Sequence, residues 1–78
     1  MVVDFEIERG APFDGREVRF LGLSPGCVLV RCVLDGREIV PVATTRLEAH
    51  MKITAFISPE AANSLPTLRQ GCKTKING

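Results

Sequence analysis

The side chains most able to do chemistry in this chain are Cys27, Cys32, Cys72, the single His50, and Arg31. Thiols and an imidazole raise two chemistries, a zinc site and a thiol nucleophile with a histidine base. Spacing argues against the first: Cys27 and Cys32 are an odd number of positions apart, so on one regular strand they point to opposite faces and cannot share an ion. Cys72 falls near the end of the chain. Against the second, nothing marks a group to orient His50 or to hold an oxyanion. No catalytic residue, no metal ligand and no cofactor is therefore expected, and the cysteines read as small buried apolar groups. A loop histidine is usually solvated or packed, although one at a subunit seam would sense pH. Arg31 interrupts an apolar run and has two readings. It pairs with Glu38 on a neighbouring strand, or it faces an anionic effector in a crevice to which two copies each contribute one arginine.

Those residues sit on or near a β-hairpin. Pro25-Gly26 marks a turn, Cys27 to Leu34 is apolar except for Arg31, and Asp35-Gly36 precedes Glu38-Ile39-Val40 and Pro41. Two apolar runs joined by Asp-Gly predict a two-residue turn, because both central residues of the type I′ form need positive φ. In that register Leu34 faces Arg37, Val33 faces Glu38 and Cys32 faces Ile39. Strict alternation then puts Val28, Val30, Cys32, Leu34 and Ile39 on a core face. Cys27, Leu29, Arg31, Val33, Glu38 and Val40 share the other. A strand apolar on both faces is buried on both, and so small a domain has little to cover the second. A second copy of the chain would do so.

The remaining elements follow from period and punctuation. Val3, Phe5 and Ile7 alternate with Asp4, Glu6 and Glu8, a half-buried strand with one acidic face. Asp14-Gly15-Arg16-Glu17 has capping-box spacing and predicts a short helix over Val18 to Leu21. Thr44 to His50 reads as a loop anchored inward by Leu47. Ile53, Ala55 and Ile57 alternate with polar positions and Phe56 in a last strand. Ser58-Pro59-Glu60 opens a helix carrying Ala61, Ala62, Leu65 and Leu68, which Pro66 should end or kink. The domain is expected over residues 1–70, with 71–78 a tail or linker.

Composition narrows the class. Seventy-eight residues make one small domain, of a size that buries only roughly 60–65% of its unfolded surface. Ten Lys and Arg nearly balance nine Asp and Glu, and four Phe without Trp or Tyr offer little stacking surface. Nucleic acid is therefore not an expected partner. No apolar run approaches the roughly 18 residues of a membrane span, so the chain is expected to be soluble by itself. Unpaired cysteines fit a reducing, cytosolic setting. Met1 directly before a strand is compatible with a piece of a longer protein.

The order strand, short helix, hairpin, loop, strand, helix resembles the RCK_C or TrkA-C domain, the C-terminal regulatory module of potassium-uptake proteins, ion channels and antiporters. The marks that carry the resemblance are Gly15, Leu21 and Leu23, Pro25-Gly26, Cys27 to Val33 and Asp35-Gly36-Arg37. They continue through Ile39-Val40-Pro41, Thr45-Arg46-Leu47, Ile53 to Ile57 and Ser58-Pro59-Glu60. Three departures stand out: His50-Met51 where relatives commonly have Gly-Asp, Ala43-Thr44-Thr45 where they have Gly-Asp-Thr, and Pro66 in the last helix.

The resemblance implies an α+β fold, with a small mainly antiparallel sheet and one or two short helices, that forms a homodimer. It implies a cytoplasmic module at the inner face of the membrane, serving a transporter or channel for potassium or another cation in the same or a partner chain. In some relatives the crevice between copies binds an effector, so cyclic di-AMP or another nucleotide is the ligand class to expect. The residues assigned to that crevice are Cys27, Leu29, Arg31, Val40 and Pro41. They suit a stacked base held by backbone groups as well as a dry interface. The alternative is a ligand-sensing or dimerisation module of a soluble regulator such as a transcription factor. No Gly-x-Gly-x-x-Gly occurs, so nicotinamide or ATP binding is not implied.

Overall fold

The computed structural model describes residues 1–73. Its four strands are β1 (Val2–Glu6), β2 (Cys27–Leu34), β3 (Arg37–Ile39) and β4 (Lys52–Ile57), followed by one helix, α1 (Ser64–Cys72). They form a single antiparallel sheet in the order β1-β4-β2-β3. The small α+β fold with its antiparallel sheet is the one expected.

The hairpin turns as its sequence dictates. Asp35 (φ 53°) and Gly36 (φ 74°) both take left-handed conformations, and the register pairs Leu34 with Arg37, Val33 with Glu38 and Cys32 with Ile39. One face of the sheet is filled by Ile7, Leu47, Met51, Ile53, Ile57, Leu68 and Cys72, all at or below 1% exposure. Fully burying each aliphatic side chain of that kind contributes roughly 1.5–3 kcal/mol. Leu47 is the inward anchor that the loop reading required.

Strand β2 corrects the face assignment. Its register on β4 runs Cys27–Ile57, Val28–Phe56, Leu29–Ala55 and then Arg31–Thr54, so Val30 is an extra residue in a β-bulge. A bulge resets the alternation. Cys27 and Leu29 point into the core before it, and Cys32 points into the core after it. Val28 and Val30, expected inside, are exposed. Cys27 and Cys32 therefore share the inner face rather than opposing faces.

The helical segments also differ from expectation. Only one turn of 3₁₀ helix, Val18–Phe20, forms after Glu17, and no side chain caps it. Asp14 does other work: its carboxylate accepts from the Gly10 amide at 2.9 Å and from the Ala49 amide at 3.1 Å, tying two loops together. Near the C-terminal end the predicted single helix divides into a 3₁₀ turn, Pro59–Ala61, and α1. Pro66 lies in the first turn of α1, where its missing N–H has no intrahelical acceptor to lose.

The helix continues beyond residue 70, where the tail was expected, and Gly71 and Cys72 are buried. Residues 74–78 of that expected tail lie outside the described residues. The terminal carbonyls of α1 are capped by neighbouring loops: Phe13 N donates to Gly71 O at 2.8 Å and Glu8 N donates to Cys72 O at 2.8 Å. Gly71 permits this closeness. A Cβ there would lie 2.3 Å from two carbons of the buried Phe13 ring.

Candidate functional site

Of the residues assigned to the crevice, three come together. Cys27, Leu29 and Pro41 line a shallow depression of about 410 Å³ with Val18, Leu23, Val28 and Val42. The depression exists because β3 is short. Its three residues cover β2 only from Cys32 to Leu34, so the edge of Cys27–Val30 has no strand beside it. Met1 and Ile57 exchange backbone hydrogen bonds, so alternation turns Phe56 toward Val28 and leaves the N–H and C=O of Leu29 facing the open side. The lining is apolar side chain with peptide groups at its back. Arg19 stands at the rim, its guanidinium 4.8 Å from the Phe20 ring centroid and its Nε 2.7 Å from Glu17.

The other two residues are placed differently. Val40 is 76% exposed and lies outside the lining of this depression. Arg31 belongs to the outer sheet face, where it lines a second depression with Asp4, Glu6, Lys52 and Thr54. Its guanidinium lies 3.6 Å from Glu38, the diagonal pairing foreseen, with the two side chains 51% and 63% exposed. An ion pair so open to solvent contributes little, roughly 0–1 kcal/mol.

The outer face was the unread part of the site. Val2 pairs with Phe56 and Phe56 with Val28 across three strands, and all three are exposed, as is Val30. Val28 also lines the depression beside Pro41 and Val42. One apolar strip thus runs from β1 across the sheet into the depression. Counting apolar residues in β2 gives the right number for two faces; only the bulge decides which residue lies on which.

Burial works against thiolate formation at all three cysteines. Burial raises the pKa of Cys27, partly opposed by a hydrogen bond with Ser64, and raises that of Cys32. Cys72 is pushed up to about 11, by burial first and then by the charge of Glu8. Bringing Cys27 and Cys32 to one face does not make a metal centre: no cluster of three or more His, Cys, Asp or Glu suited to a metal occurs among the described residues. His50 occupies a turn at φ 71°, its amide donating to Ile7 O at 2.6 Å. A left-handed φ is one that glycine adopts at no steric cost, so the glycine that the resemblance implies at this position has a physical reason.

The four-stranded antiparallel sheet with one helix matches the fold of a solved RCK domain. A solved structure described as "Structure of RCK domain with cda" superposes with a TM-score of 0.71 at 15% identity, covering 92% of this chain and 97% of that one. At that identity the likeness is one of fold. The TrkA-C domain model matches residues 2–67, and the chain belongs to the TrkA-C domain family. No curated protein matches it. Membership makes it a regulatory domain of the kind found in potassium-transport systems, in a family that is generally non-enzymatic. RCK domains typically form dimers and associate with transporters. No helix among the described residues is long and apolar enough to cross a membrane.

Proposed function

We propose that this domain is a non-enzymatic, cytoplasmic regulatory module that dimerises and couples the dimer's geometry to a cation transporter or channel. The carrying observation is the apolar strip Val2–Phe56–Val28, continuous through Val28 with the depression at Cys27, Leu29 and Pro41. Exposed apolar surface of this kind on a single-layer sheet is characteristic of an interface. A twofold partner on the strip would deepen the depression into a crevice between copies.

The effector reading places a planar base in that crevice, stacked on Val28, Pro41 and Val42, with the peptide group of Leu29 available for hydrogen bonding. An RCK domain of the same fold was solved "with cda", and cyclic di-AMP or another nucleotide is the class of ligand to test here. The physics of control is linkage: an effector shifts the transporter only by its difference in affinity for the two dimer arrangements. Cys27 and Leu29 contribute to this site as buried lining. Arg31, on the other depression, contributes only if the partner copy brings it across.

Scanning calorimetry with and without cyclic di-AMP and a nucleotide panel tests the effector. A ligand at about 100 times its Kd adds about 2.7 kcal/mol, which in a domain this small raises Tm by roughly 10 °C or more. No shift across the panel would leave a constitutive dimerisation module and remove the effector from the reading.

A further inference from the structure

We propose that the free edge of β1 is a docking site for an extended basic segment of a partner protein, which adds to the sheet as a fifth strand. This is independent of the effector reading and lies on a different edge of the molecule.

The edge is defined by hydrogen-bond parity. Met1 exchanges hydrogen bonds with Ile57, and Ile7 N donates to Met51 O at 2.9 Å. Odd-numbered residues of β1 therefore face β4, and the N–H and C=O groups of Val2, Asp4 and Glu6 face away from the sheet. At Glu8, the next residue of that parity, the N–H donates to Cys72 O at the end of α1. The open rungs thus stop where the helix begins to cover the edge. Among the described residues none of the backbone hydrogen bonds outside the strand ladders involves Val2, Asp4 or Glu6. No proline blunts the strand, so it has the geometry that strand-adding partners use.

Charge chooses the occupant. Asp4 and Glu6 project on the exposed face of this edge. Asp4 accepts a hydrogen bond from the Thr54 hydroxyl at 2.5 Å, and Glu6 is in register with Lys52. Neither carboxylate forms an ion pair with a described residue. A second copy paired antiparallel through all three open rungs would set Asp4 against Asp4 of its twin, and like charges directly opposite destabilise a sheet. A strand with lysine or arginine at alternate positions meets both acids, and apolar residues between them lie beside the half-buried Val3 and Phe5.

The test uses a blocked octapeptide of alternating lysine and valine, titrated into the ¹⁵N-labelled protein. The expected result is amide shifts centred on Val2, Asp4 and Glu6, with binding weakened at least tenfold in Asp4→Lys/Glu6→Lys. A peptide of alternating glutamate and valine should not bind. Should the double variant fail to fold, the contrast between the two peptides decides alone. Shifts centred on Val28 and Val42, equal binding of both peptides, or no shift at millimolar peptide would each overturn the proposal.

Discussion

The two faces of the sheet are built from the same strands and almost the same residue types, yet they behave as different materials. On the inner face Cys27, Leu29, Cys32, Ile53, Ala55 and Ile57 meet α1 and the loops, and are buried. On the outer face Val2, Val28, Val30 and Phe56 remain 45–64% exposed. Within β2 the contrast falls between adjacent residues: Leu29 is 7% exposed and Val28 is 54% exposed. Hydrophobicity alone does not separate core from exposed surface. The separation is made by what the rest of the chain can reach, and one helix of nine residues reaches only one side.

Substitutions on the inner face should cost the most. Gly71→Ala drives a methyl group into the buried Phe13 ring, and about 2–3 kcal/mol of stability should be lost in chemical denaturation, with no change in association of the folded fraction. Leu29→Glu buries a carboxylate without a partner and should leave the chain largely unfolded by circular dichroism. Its neighbour provides the contrast, because Val28→Glu should keep a native spectrum.

Alkaline pH acts on the inner face through Cys72. Folding holds the proton on Cys72 more tightly than the unfolded chain does, so the stabilisation is whole below the unfolded thiol pKa of about 8.5. It fades as pH rises toward the folded value of about 11. Denaturation at successive pH values should show stability falling steadily across that window. Cys72→Ala should flatten the slope.

Smaller effects belong to exposed positions. His50→Gly relieves a left-handed φ of 71° and should raise stability by about 0.5–1 kcal/mol. Arg31→Ala should change stability by less than about 0.5 kcal/mol, since its pair with Glu38 is open to water. A loss above 2 kcal/mol there would mean that Arg31 holds the fold together.

Much of the fold was legible because local chemistry and global structure agree. Asp35-Gly36 can turn only one way, Ile53-Ala55-Ile57 fit only one face, and Leu47 is the single large apolar residue of its loop. What was not legible depended on a bond count that side chains do not announce. The bulge at Val30 has no Gly or Pro to mark it, and one added residue exchanges Val28 with Leu29 between core and surface. Asp14 carried a capping-box spacing, yet its carboxylate serves one nearby and one distant amide, a use visible only when Gly10 and Ala49 are brought together. The residues assigned to the crevice divide between two places for the same reason. Cys27, Leu29 and Pro41 meet because β3 stops early, whereas Arg31 was carried to the other depression by the bulge.

The most direct test is sedimentation equilibrium on the wild-type domain beside Val28→Glu and Phe56→Glu. An outer face that is an association surface predicts a wild-type dimer and two folded monomers, each with an unchanged far-ultraviolet spectrum. A wild-type monomer, or dimers that survive both substitutions, would contradict it.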